Sequence, residues 1–134
     1  MPLPSITAGY LGILGLLYAG LGMQVSRLRR GHRVLFGDGD NIRLRSAIRA
    51  HANFAEYVPI IVLMVAMLEM FGLPALTVHL LMAALLIARL LHPLGMYVGP
   101  HTLQFQICRV GGIALTVLVL IGSAILLLFW HKAG

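Results

Sequence analysis

The stretch VGGIALTVLVLIGSAILLLFW, residues 110–130, carries no charged side chain and ends on a tryptophan. An α-helix rises 1.5 Å per residue, so about 20 such residues cross the ~30 Å hydrocarbon layer of a bilayer. A soluble core helix of this length would need a polar face, and this segment has none. A second stretch, ITAGYLGILGLLYAGLGMQV at residues 6–25, is one residue shorter and is also free of charge. Composition agrees: 60% of the 134 residues are hydrophobic and 10% charged, against roughly 45–50% and 25% in soluble domains. An integral membrane protein follows, and the chain left over is too short to bury a second core.

Between these two segments lie two more. The second runs from about residue 42 or 46 to residue 71, and the third from about residue 74 until Pro93 interrupts it. Gly72-Leu73-Pro74 makes a very short turn, so those two helices are antiparallel neighbours. The expected architecture is an all-α membrane protein, a four-transmembrane-helix bundle of up-down topology. Its spans are residues 5–26, 46–71, 74–92 and 109–130, and one domain takes up residues 1–134. The first apolar stretch lacks a basic leader and exceeds the ~7–15 apolar residues of a signal peptide, so it is read as a retained span. Gly9, Gly12 and Gly15, at near-helical spacing, predict close packing of that helix.

Six of the nine arginines lie between Arg27 and Arg45, and the net charge is +6. Directly after a membrane span, such a block is topogenic. It places loops 26–45 and 97–109 in the cytoplasm, near anionic headgroups, with both termini on the opposite side. No aromatic platform accompanies the basic block, so no nucleic-acid partner is expected. Trp130, followed by His131 and Lys132, is an interfacial anchor. Gly37-Asp38-Gly39-Asp40-Asn41 lacks EF-hand ligand spacing and reads as a tight turn, with Asp40 or Asn41 capping the next helix. The six histidines contain no close i, i+4 pair, and the single cysteine, Cys108, has no companion thiol. No metal centre and no disulfide are expected.

Charge inside a membrane is costly, so it is normally paired, turned inward and functional. Arg49, Asn53 and Glu56 stand at i, i+4 and i+7, within about 60° of one another on a helix, and Arg45 continues the stripe. Tyr57 adds a phenol beside Glu56, whereas His51 points about 160° away from Asn53 and is read as a packing residue. Seven positions span roughly 10 Å, so a direct Arg49–Glu56 pair is stretched and something is expected between them or on a neighbour. Arg89 and His92 bring further cationic character to the same membrane level. An excess of arginine beside one carboxylate suits a zwitterionic ligand with several carboxylates, such as a peptide, met by an apolar cosubstrate from the lipid.

The run Arg49-Ala50-His51-Ala52-Asn53-Phe54-Ala55-Glu56-Tyr57 resembles the pattern R-A-x-x-N-x-x-E-[YF] of the MAPEG family, the membrane-associated proteins in eicosanoid and glutathione metabolism. Chain length, four-span layout and the basic first loop extend the similarity over nearly the whole sequence. The resemblance implies a homotrimer that binds glutathione as cosubstrate between subunits, near the cytoplasmic side. It also implies conjugation of the glutathione thiolate to a hydrophobic electrophile, or reduction of a lipid hydroperoxide. By the same resemblance Arg30, Arg49, Asn53, Glu56, Tyr57, Arg89, His92 and Tyr97 hold glutathione. Arg109, at the start of the fourth helix, takes the thiolate-stabilising role.

Two other readings remain at this point. A non-catalytic member of the same family would hold a lipid and present it to a partner enzyme. A small proton-coupled transporter would use Glu56 to exchange a proton along a pathway.

Overall fold

The computed structural model describes residues 2–130, so His131 and Lys132 lie outside it. Helices α1 (Ser5–His32), α2 (Ile42–Met70), α3 (Ala75–Leu94) and α4 (Gly111–Trp130) run up and down, and a π-helical turn, Phe105–Val110, leads into α4. All four are long and apolar enough to cross a membrane, and no strand occurs among the described residues. The chain is therefore a multi-pass integral membrane protein built as a four-helix bundle.

A repeating seam holds the bundle together. The buried residues of α2 include Phe54, Val58, Ile61, Val65 and Leu68, spaced four, three, four and three apart. That spacing keeps one stripe facing a neighbour at a shallow crossing angle, as in left-handed bundles. In α3 the same spacing runs through Val78, Met82, Leu85, Arg89 and His92, all buried. In α4 it runs through Gly112, Thr116, Val119 and Ser123, all but Val119 small or hydroxylated. The α3 seam thus turns from hydrocarbon to Arg and His at one end, where α4 offers Gly112 and Thr116.

Several local expectations meet different outcomes. Asn41 caps α2, its side chain accepting from Leu44 N at 3.0 Å. The preceding turn uses positive φ at Gly37, Gly39 and Asp40, and Arg45 contacts both Asp38 and Asp40. The bond from Arg45 holds the Asp38 carboxyl below the usual carboxylate range.

Pro93 does not interrupt α3, which continues to Leu94. The ring removes a single backbone donor near the helix end, where few turns remain to be lost. The tight packing predicted at Gly9, Gly12 and Gly15 is also absent within the chain. A side chain at any of these positions would meet nothing within 4 Å, whereas Gly22 faces the His51 ring. Helix α1 turns Leu14 inward and leaves those glycines on its outer face. His51 packs as its direction requires, stacked on Tyr18 with ring centroids 4.6 Å apart.

Candidate functional site

The polar residues gather at the end of the bundle where the α3 seam changes character. Arg89 is completely buried. Its Nη1 donates to Thr116 Oγ1 at 3.3 Å, its Nη2 lies 3.4 Å from His92 Nδ1, and its Nε has no hydrogen-bond partner among the described residues. A guanidinium has no acceptor to offer, so His92 Nδ1 accepts and the ring proton sits on Nε2. Thr116 passes its own proton to Gly112 O at 2.8 Å. Gly112 makes this contact possible, since a Cβ there would lie 3.0 Å from Ala88 O and 3.1 Å from the His92 Cα.

Helix α2 supplies the next layer. The Arg89 guanidinium sits 5.7 Å from the centroid of the Phe54 ring, a cation–π contact. Half-buried Tyr57 is close enough to act on Arg89 electrostatically. The Oδ1 of Asn53 is buried and has no hydrogen-bond partner among the described residues. The pair expected to be stretched, with something between its members or on a neighbour, meets directly: Arg49 Nη1 reaches Glu56 Oε1 at 3.5 Å, with both side chains about half exposed. The two long side chains lean toward each other along the helix and close the two-turn gap. The up-down order of the helices sets Arg49 near the start of α2, Arg89 near the end of α3 and Arg109 just before α4, so these three guanidinium groups lie at one end of the bundle.

Arg109 and Tyr97 lie on the outer side of this cluster. With Arg43, Ser46 and Phe105 they line a groove of about 720 Å³ between the start of α2 and the α3–α4 connection. Arg109 lies over the Phe105 ring at 5.1 Å, and its backbone abuts Gly95, where a Cβ would overlap it. It occupies the π-helical turn, whose extra residue per turn shifts the register entering α4. Burial pushes the Tyr97 phenol up, while Gln24 and Arg43 pull against that shift; at neutral pH the phenol is a hydrogen-bond donor.

Arg30 stands apart. It is exposed at the end of α1, lining shallow grooves with Arg29 and Arg33 on one side and with Gln24 and Arg27 on the other. Among the described residues no ion pair or hydrogen bond joins it to Arg49 or Glu56.

A second groove, of about 510 Å³ and almost wholly apolar, lies between α1 and α2, lined by residues including Leu14, Tyr18, Phe54, Val58 and Pro59. Phe54 belongs to both regions: it lines the apolar groove, and Arg89 lies over its ring. The site therefore sets a cluster of cations against an apolar groove with one aromatic ring between them. Such an arrangement can hold an anion and bring a hydrophobic molecule near it.

A match to the MAPEG family covers residues 7–129 of the chain. The chain belongs to the MAPEG family. Among curated relatives, the inner membrane protein YecN of Escherichia coli strain K12 is 38% identical over 106 residues, which cover 79% of this chain and 78% of YecN. The same protein from Escherichia coli O6:H1 matches to the same extent. No solved structure matches significantly.

The sequence pattern gave no sign of Thr116, Phe54, Arg43 or Ser46 as parts of this region. Thr116 and Phe54 look like ordinary apolar-helix residues until the seam spacing is extended from α2 to α3 and α4. Arg43 and Ser46 sit at the start of α2, where a polar residue reads as interfacial.

Proposed function

We propose that this MAPEG-family protein is a glutathione-dependent membrane transferase, which joins the glutathione thiolate to hydrophobic electrophiles and also reduces lipid hydroperoxides. The observation that carries the reading is the placement of Arg49, Arg89 and Arg109 at one end of the bundle, with Phe54 linking that end to an apolar groove. Glutathione presents two carboxylates and an amine. The arginines suit the carboxylates, and Glu56 suits the amine, exchanging its contact with Arg49 for the ligand. Asn53, Tyr57, His92 and Tyr97 supply neutral hydrogen-bonding groups, and Arg30 approaches from the end of α1.

A free thiol has a pKa of ~8.5 and is mostly protonated at neutral pH, so a neighbouring guanidinium raises the fraction present as nucleophile. Arg109 takes this role. In conjugation the thiolate sulfur forms the new bond to the electrophilic carbon while the leaving group departs with the bonding electrons. No protein nucleophile and no metal takes part.

The test is an ultraviolet titration of the purified protein with glutathione, watching for thiolate absorption. The expected result is a thiolate band at neutral pH. In Arg109→Ala the band is lost and conjugation of a generic aryl halide falls about 10²-fold, the scale of removing one electrostatic stabiliser, while glutathione still binds. Arg49→Ala and Glu56→Ala instead weaken binding by about tenfold or more. Binding without a thiolate band would favour a lipid-presenting accessory member of the family, and full activity in Arg109→Ala would remove its assigned role.

A further inference from the structure

At the end of α1, two bare hydrocarbon side chains stand beside guanidinium groups that no carboxylate neutralises. Leu35 and Phe36 are 84% and 90% exposed, yet the loop that carries them is firmly held. Val34 N donates to Arg29 O at 2.9 Å, Arg29 Nη1 donates to Gly37 O at 2.7 Å, and Asn41 N donates to Asp38 O at 2.9 Å. Their outward display is therefore built in. Ser26, Arg29, Arg30 and Arg33 line an adjoining groove of about 520 Å³. The two acids of the loop are taken by Arg45, which leaves Arg27, Arg30 and Arg33 without an ion pair among the described residues.

Depth decides what these groups meet. The charge-free part of α1 ends at Ser26, and Arg29 lies three residues further, about 4.5 Å along the axis. The headgroup layer is roughly 5–8 Å thick on each side of the hydrocarbon. Because Arg29 grips the Gly37 carbonyl, Leu35 and Phe36 share that depth. Apolar side chains there insert at the acyl boundary, and guanidinium groups there attract phosphate.

We infer that this end of α1 is a binding site for an anionic phospholipid, its phosphate against Arg30 and Arg33 and its acyl chains beside Leu35 and Phe36. A soluble anion would make no use of the two exposed hydrocarbon side chains. A second copy of the same surface would set arginine against arginine. Only Arg30 is shared with the proposed glutathione site; Arg33, Leu35 and Phe36 take no part in it, so the inference otherwise stands apart from the transferase activity.

The experiment uses the full chain in phosphatidylcholine bilayers and compares the association of spin-labelled phosphatidylglycerol and phosphatidylcholine. The wild type prefers phosphatidylglycerol. That preference falls about five-fold for each guanidinium removed in R33Q and in the double variant R27Q/R33Q, and phosphatidylcholine association is unchanged. Millimolar inorganic phosphate leaves the lipid in place. In a second measurement Phe36→Trp, made in a Trp130→Phe background, is quenched by brominated acyl chains. An unchanged preference in R27Q/R33Q overturns the site, displacement by inorganic phosphate reduces it to a free-anion site, and an indole shielded from brominated lipid means that protein covers the loop instead.

Discussion

Among the described residues Arg89 has only neutral hydrogen-bond partners, Thr116 and His92, and it rests on Phe54. A charged side chain at membrane depth costs roughly 2.5–3.5 kcal/mol even on the lenient insertion scales, so each neutral donor or acceptor around it carries weight. Thr116 does most here, because one hydroxyl both accepts from the guanidinium and anchors to Gly112 O. Thr116→Val keeps the shape and removes both bonds. The expected loss is about 1–3 kcal/mol, read as a lowered midpoint of thermal or denaturant unfolding, and Thr116→Ser should recover most of it. An unchanged midpoint in Thr116→Val would mean that the hydroxyl is incidental to Arg89. The charge at Arg89 and the histidine three residues later were legible in the sequence, but Thr116 was not. A hydroxyl in an apolar helix ordinarily bonds its own preceding turn and signals nothing more.

At the scale of the helices, the carboxylate of Glu69 ties the end of α2 to the start of α1. It accepts from Ile6 N at 2.9 Å, from Thr7 N at 2.9 Å and from Thr7 Oγ1 at 2.6 Å. An acid in the last turn of its own helix opposes that helix dipole, but at the N-terminus of another it satisfies amides that have no partner within their helix. Glu69→Ala strands those donors and is expected to cost about 3 kcal/mol, with faster hydrogen exchange at Thr7. Glu69→Gln should fall between, and unaltered exchange in Glu69→Ala would show that the contact does not hold the helices together. This lock was readable in principle, since an acid at the wrong end of an apolar helix calls for a partner elsewhere. The helices themselves were plain from hydropathy, because lipid admits little else. The boundaries were less so: α1 extends past its apolar segment to His32, where arginines continue the helix, while α2 begins at Ile42, the earlier of its two expected starts, on the Asn41 cap. The π-helical turn that sets Arg109 had no signal beyond a crowded Gly95.

For the whole molecule, the outer face of α2 bears on how many chains assemble. Arg49, Glu56, Ile60, Leu63 and Met67 fall within about 60° of one another on the helix, and all are exposed. This stripe points about 140° from Phe54 on the buried seam, so no other helix of the same chain covers it. Glu56 lies about 21 Å along α2 from Ile42, deep in the bilayer, and its contact with Arg49 leaves half of each side chain uncovered. An ion pair facing acyl chains at that depth is costly; covered by a neighbouring α2 it is screened from lipid and can form one wall of a site between subunits. The expected assembly is a homotrimer joined along this stripe. Met67→Arg, which adds charge to the apolar part of the stripe away from both the cation cluster and the groove between α1 and α2, should shift the purified protein from trimer to monomer in light scattering. It should also lower glutathione affinity by about tenfold, because Arg49 and Glu56 would lose the neighbour that closes the site. A wild-type protein that is monomeric and fully active in bilayers would sink this arrangement. The glutathione site would then have to be complete within one chain, with Arg49 and Glu56 facing lipid.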